Sequence, residues 1–306
     1  MVKIHLFDKV LRSLRNCQKI TNYNNTLMLT KLHIEEPGFE KKAKEEILNM
    51  VSNHSEIYKY TNFEIGLKII SGQTLAFRSP LNMNDPFDCD ISLIDFSQIS
   101  QNYIEYLILK YPSQSDELSK LLPRTSSNEH IYNHIIETQT RGLKQDLSKR
   151  GLTCFSETFS NPLMWSHYTT SHSGICIGFD FKKLYTSIRK SSNPERLITK
   201  VEYSETFVAV DYYKYPREAI LNWLKMKSID WKYEKEVRIL LYDLNFDING
   251  LHIHSIDPDC IKSIFLGAKI SVENEKIIRD LIVSKFRNIT IKKMSPVKNS
   301  FCLEAL

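Results

Sequence analysis

The chain has 306 residues, 42% of them apolar and 25% charged, with a formal net charge of +5. That is chain enough for one large domain or two small ones around a buried core, it excludes a disordered or fibrous protein, and the mildly basic balance suits a nucleotide or nucleic-acid partner. No apolar run reaches the roughly 18 residues of a membrane span, Met1 to Asp8 lacks the apolar stretch of a signal peptide, and the six cysteines form no CxxC pair, which predicts a cytoplasmic, non-membrane protein with reduced thiols and no bound metal.

Residues 1 to 50 read as a helical appendage. Leu6, Val10, Leu11, Leu14 and Ile20 stand near helical spacing, Pro37-Gly38 punctuates, and Glu40 to Met50 forms a charged helix with a thin apolar stripe. A helical cap or an arm for a regulatory partner matches this pattern. From Ile57 the pattern changes, and residues 51 to 306 read as the main domain. Ile57 to Thr61 is an aromatic strand. Asn62 caps a helix over Phe63 to Ile70 that Gly72 closes. Leu75 to Ser79 is a strand, and Pro80 to Asp90 a loop rich in Asn, Asp and Pro. Residues 93 to 150 read as a helical insertion, with a break rich in Ser and Asn at 124 to 128.

Leu152 to Ser156 is the next strand. Pro162 to Tyr168 suits a short helix with proline in its first turn, and Gly174 to Asp180 is a central strand, apolar on both faces. Strands follow at Ile198 to Tyr203, Phe207 to Tyr213, Val237 to Tyr242 and Leu251 to Ile256, with a helix at about 216 to 229. Ile261 to Leu266, Glu273 to Lys285 and Ile289 to Met294 close the chain as strand, helix and strand. The class is α+β, with several antiparallel neighbours.

Four clusters concentrate groups that a core does not want. Trp231 to Arg238 reads as the start of a strand, which puts Glu234, Glu236 and Arg238 in one row. Such a row is either a solvated edge with cross-strand ion pairs or the floor of a site that handles charge. Tyr58-Lys59-Tyr60 is either a surface lysine between core tyrosines or part of that floor. The loop holding Ser79, Asn84, Asp85 and Asp88 either satisfies its own backbone through Asx turns or faces a ligand. Trp165, His167 and Tyr168 on the short helix either fill a core or stack a flat ring. His130 and His134 have metal-like spacing without a completing ligand set. His252 and His254 share a strand face, and Cys154 stands at the position of a core thiol.

These motifs, in order from Ile57-Tyr58-Lys59-Tyr60 through Asn84-Asp85-Pro86-Phe87-Asp88, Cys154-Phe155-Ser156, Met164 to Tyr168 and Gly178-Phe179-Asp180 to Trp231 through Arg238, resemble a bacterial domain-of-unknown-function 2971-type family over about residues 55 to 300. The layout is similar to that of the ADP-ribosyltransferase superfamily. The resemblance implies split antiparallel β-sheets with flanking helices and a helical insertion, NAD as substrate, and a role as a toxin or phage-defence effector. It implies catalysis by Glu236, with Glu234 orienting the acceptor or taking its proton. Lys59 stands where that superfamily has His or Arg. Tyr58, Tyr60, Ser79, Asn84, Asp85, Trp165, His167, Tyr168 and Arg238 are the implied NAD-binding residues. The acceptor is DNA, RNA, protein or water, and residues 1 to 50 offer a surface for an antitoxin or regulatory protein. Two other readings stay open: a non-catalytic nucleic-acid or nucleotide-binding module, and a nuclease using Asp85, Asp88, Glu234 and Glu236 around magnesium.

Overall fold

A computed structural model describes residues 55–97, 101–122, 129–191 and 196–306, together with Glu45, Asn49, Met50 and Thr125. Apart from those four residues, the expected appendage and the break at 124 to 128 lie outside the described residues. In chain order the elements are β1 (Glu56–Thr61), α1 (Phe63–Gly72), β2 (Thr74–Arg78), β3 (Ile94–Asp95), α2 (Gln101–Lys110), α3 (Ser115–Ser119), α4 (Glu129–Leu147), β4 (Gly151–Ser156), α5 (Pro162–Tyr168), β5 (Ile175–Asp180), α6 (Phe181–Ser191), β6 (Arg196–Lys200), β7 (Glu202–Ser204), β8 (Val210–Asp211), α7 (Pro216–Lys225), β9 (Met226–Ser228), β10 (Glu236–Leu241), β11 (Leu251–Ser255), β12 (Ile261–Leu266), α8 (Val272–Lys285), β13 (Thr290–Pro296) and β14 (Leu303–Ala305). The class is α+β.

Local chemistry explains most of these bounds. The Asn62 side chain accepts from the Ile65 N–H at 2.8 Å and so caps α1. The helix does not close at Gly72 as expected: Gln73 takes the left-handed turn, at φ 52°, and its N–H bonds the Ile69 carbonyl. Three other expectations are corrected. Of Phe207 to Tyr213, Val210 and Asp211 form a strand. The helix expected to run to 229 stops at Lys225 and passes into β9. Trp231 to Glu234 belong to a 3-10 turn, Ile229–Glu234, and the strand begins at Glu236. Helix α6 was not expected. Its buried Phe181, Leu184 and Ile188 have helical spacing, but they follow β5 without a loop.

The chain divides into two compact units. The larger holds the described residues within 45–90, 147–207 and 225–306. Its main sheet has the order β11-β2-β4-β1-β5-β12-β13-β14, with β10 on β4 and β6 on β10. Pairing is antiparallel except between β12 and β13. The sheet forks at β4, which pairs with β2 at Leu152↔Arg78 and with β1 at Tyr58↔Ser156. On its other edge β4 pairs with β10 along its whole length, from Glu236↔Ser156 to Leu241↔Gly151.

One face of this sheet packs Ile57, Phe155, Ile177, Phe179, Val237 and Ile239 with Ile69 and Ile70 of α1, Leu184 and Ile188 of α6, and Ile278 and Ile282 of α8. Each such side chain contributes about 1.5–3 kcal/mol by leaving water. A second cluster joins Tyr60, Cys176, Phe265 and Met294 to Met164 and Trp165 of α5. After α5 the chain turns through Thr170, Ser171 and His172, all at positive φ (51°, 54° and 70°). Two glycines admit that turn. A Cβ on Gly267 would lie 2.1 Å from the His172 carbonyl oxygen, and one on Gly174 would lie 2.3 Å from that of Thr61.

The smaller unit includes the described residues within 91–146 and 208–224. It contains the parallel pair β3–β8, α2, α3, α4 and most of α7. Phe96, Tyr103, Tyr212 and Tyr213 form an aromatic cluster there, with ring centroids 4.9 Å apart for Tyr103–Tyr213 and 5.1 Å for Phe96–Tyr212. Among the described residues no helix is long and apolar enough to cross a membrane.

Candidate functional site

The site is built around the turn that precedes β10. Lys235, at φ 45°, reverses the chain between Glu234 and Glu236. Three successive carbonyls of this turn are held by the last residue of β4 and the segment that links it to α5. Asn161 Nδ2 donates to Tyr233 O at 3.0 Å, Ser156 Oγ to Glu234 O at 2.6 Å, and the Glu157 N–H to Lys235 O at 3.0 Å. A turn clamped at three points fixes the direction of the glutamate it carries. Asn161 also accepts from the Leu163 and Met164 N–H groups, so one side chain caps α5 and holds the turn.

Five ionisable side chains converge here. Arg238 is fully buried. Its Nε donates to Glu236 Oε1 at 2.8 Å, and its Nη2 to Glu236 Oε2 at 3.0 Å and to Asp88 Oδ2 at 2.7 Å. Lys227 Nζ lies 2.6 Å from Glu234 Oε2, 2.9 Å from Glu236 Oε2 and 3.4 Å from Asp88 Oδ2. It also sits 5.2 Å from the centre of the Trp231 ring. The Tyr168 hydroxyl donates to Glu234 Oε1, and the Glu236 N–H donates to the Tyr203 hydroxyl at 2.8 Å. Side-chain exposure is 7% for Lys227, 4% for each glutamate and zero for Asp88 and Arg238, so the network is screened from water.

Three carboxylates face two cations in this network, and the environment divides the two glutamates. Burial alone would raise both. At Glu236 the guanidinium of Arg238 and the ammonium of Lys227 overcome burial and hold the carboxyl well below its ordinary range. At Glu234 burial wins over Lys227 and Tyr168, and the pKa is raised. Burial also pushes up the thiols of Cys89 and Cys154, which flank the network beside Arg238 and Glu236, so both are protonated core thiols. Among the described residues Asp88 Oδ1 has no hydrogen-bond partner and is buried.

The structure brings Glu234, Glu236, Arg238 and Tyr168 together from the expected set. His167 lies at the margin, its Nδ1 3.0 Å from the Tyr233 hydroxyl. The others have occupations of their own. Trp165 is fully buried, and its Nε1–H donates to Phe159 O at 2.7 Å, so its ring offers no face to a ligand. Tyr60 donates to Thr158 O at 2.8 Å and packs edge-on against Trp165. Tyr58 packs edge-on against Phe159 and Phe265, and burial and the neighbouring Glu56 push its hydroxyl up to about 12. Ser79 Oγ accepts from the Leu81 N–H at the start of a 3-10 turn. Asp85 Oδ1 accepts from the Phe87 N–H at 2.9 Å, the Asx turn that the loop composition suggested, and Asn84 is exposed beside it.

Lys59 stands in the fork of the sheet. Its Nζ donates to Cys154 O and Thr153 Oγ1, both at 3.0 Å, and burial pushes its pKa down. It supports the β4 backbone behind Glu236. Sequence reasoning missed Lys227 and Tyr203, which come from short strands without a motif. Asp88, Glu234 and Glu236, carboxylates of the nuclease reading, do converge, but on the Lys227 ammonium. Among the described residues no group of three His, Cys, Asp or Glu side chains is arranged to hold a metal ion.

Comparison with known proteins finds a family-model match to part of the chain. Residues 164–239 match the model of DUF2971, a family of proteins of unknown function. That span begins in α5 and ends in β10, so it contains Tyr168, Lys227, Glu234, Glu236 and Arg238. No curated protein and no solved structure matches the chain.

Proposed function

We propose that this chain, which carries a DUF2971-type segment at residues 164–239, cleaves the bond between nicotinamide and ribose in NAD and passes ADP-ribose to an acceptor. The observation that carries this reading is the division within one glutamate pair. Glu236 is held ionised by Arg238, and Glu234, bonded by Tyr168, has a raised pKa and is the more basic of the two. Two carboxylates whose surroundings drive their ionisation apart are the equipment of acid–base glycosyl chemistry.

In this reading the C–N glycosidic bond breaks, and its electron pair neutralises the departing nicotinamide ring. The positive charge that develops on the anomeric carbon is offset by Glu234 in its ionised form, the surplus carboxylate of the network. The acceptor's lone pair forms the new bond, and its proton passes to Glu234. Glu234 takes this role because it adjoins the partly exposed Tyr168 and Tyr233, whereas Glu236 is locked against fully buried Arg238. Nicotinamide release from NAD, with and without nucleic acid or cell extract, tests the proposal. Wild type should release nicotinamide, and Glu234→Gln should lose about 100-fold or more in rate while keeping its fold. No release under any of these conditions removes the reading.

A nucleic-acid-binding module has one observation of its own in support. Trp231 and Tyr233 alternate with exposed Lys232 and Lys235 on a single turn, as stacking faces and cations do where single strands bind. Several-fold weaker oligonucleotide binding by Trp231→Ala, with no effect of NAD on the unfolding midpoint, would favour binding over transfer.

A further inference from the structure

Neither motif nor family description assigns Lys227 a role, and its placement gives it one. It is the middle residue of β9, which pairs in parallel with β7 at Tyr203↔Lys227. The backbone is therefore fixed, and the ammonium ends among three carboxylate oxygens, at 2.6, 2.9 and 3.4 Å. An ammonium has three donors and no acceptor, so it bridges acids without discriminating by geometry as a guanidinium does.

We propose that Lys227 is a positioning residue that decides which glutamate of the pair exchanges a proton: bridging both carboxylates, it secures Glu236 beside Arg238 and leaves Glu234, with Tyr168, as the carboxyl that does so. The catalytic meaning of this assignment rests on the transferase reading; the charge assignment itself does not.

The contacts support that partition. Arg238 bonds Glu236 twice and reaches Asp88 and Cys89, while the ammonium that bonds Glu234 belongs to Lys227. The groups facing Glu234 are Lys227 from β9, Tyr168 from α5, Glu236 from β10, Tyr203 from β7 and its own neighbour Tyr233. Those facing Glu236 are Arg238 on its own strand, Lys227, Glu234, Cys154 from β4, Lys59 from β1, Tyr203 and Cys89. The directions of titration agree. The Lys227 pKa is raised: burial opposes its charge, and Glu236, Asp88 and Glu234 together overcome burial.

The two glutamates then affect stability with opposite signs. Glu236 has a folded pKa below its ordinary 4.5, so its contribution is present above that pH and is lost as pH falls. Glu234 has a folded pKa above 4.5, so its contribution is present at acid pH and is lost as pH rises through the folded value.

Chemical denaturation of the full chain at acid and at neutral pH tests the proposal. Relative to wild type, Glu236→Gln should lose stability as pH is raised from acid to neutral, and Glu234→Gln should gain it. Lys227→Met should be penalised more at neutral than at acid pH, and Lys227→Arg should recover most of the difference. A penalty that is equal at both pH values, or greater at acid pH, or the same for Met and Arg, overturns the proposal. If Lys227→Met does not fold at either pH, the two glutamine variants decide: opposite signs sustain the assignment and like signs overturn it. Nicotinamide release by wild type is read separately. Its absence removes the transferase reading and leaves the pH comparison to stand or fall alone.

Discussion

Arg238 is the side chain on which this site is anchored. It is wholly buried in a strand whose six residues are all buried, and it survives there because Glu236 and Asp88 face it at hydrogen-bond distance. Replacing a buried ion pair by apolar groups is often tolerated, but removing one partner leaves an uncompensated charge. Arg238→Met should therefore cost about 3–5 kcal/mol in urea denaturation at neutral pH, and Arg238→Lys should recover only part of that, because a point charge cannot reproduce the bidentate fork. At this scale the sequence was partly legible. Glu234, Glu236 and Arg238 advertise themselves as an acid–x–acid–x–base row entering an apolar strand. Lys227 carries no such mark: it is one lysine among several in a polar stretch, and nothing local says that its tip ends beside three acids.

At the scale of elements, the row was read correctly in composition and incorrectly in geometry. Trp231 to Arg238 is not one strand, because Lys235 turns left-handed and Glu234 ends a 3-10 turn. The three clamps from Ser156, Glu157 and Asn161 outweigh the strand preference of the segment, as tertiary hydrogen bonds commonly override local propensity. Asn161 is the residue in which cap and clamp meet. Asn161→Ala should cost about 1 kcal/mol for the lost cap of α5, with a further loss from the freed Tyr233 carbonyl. Asn161→Ser, which can still cap but is too short to hold the turn, should recover the first part alone. Thermal unfolding of the two variants separates the contributions. Helix α5 itself was legible to the residue, since Pro162 suits a first helical turn; its Asn161 cap was not read. Its buried Trp165 was legible as aromatic, but not as the core residue it is: a tryptophan's burial depends on what sheet lies beneath it.

At the scale of the larger unit, the fork in the main sheet sets where the network lies. Strand β4 is shared between β1 and β2 on one edge and backs β10 on the other. Lys59 fills the gap between the branches by donating to a β4 carbonyl and hydroxyl. Lys59→Met should leave those acceptors unsatisfied and cost about 1–3 kcal/mol. Hydrogen exchange should show the loss spread along β4 and β10 rather than confined to β1. A lysine whose part is to handle a ligand would instead leave exchange in those strands unchanged.

The sequence by itself determined the α+β class, most helix and strand positions, the Asn62 cap of α1, the proline that opens α5, and the acidic row with its arginine. These follow from periodicity, capping and composition, which act over a few neighbours along the chain. The tertiary structure alone decided which charges meet. Lys227 reaches Glu234 seven residues on, Asp88 lies 150 positions before its partner Arg238, and Tyr168 lies 66 before Glu234. The balance of three carboxylates against two cations arises only when those segments are folded onto one another, because burial and Coulomb attraction depend on distance in space and not on distance along the chain.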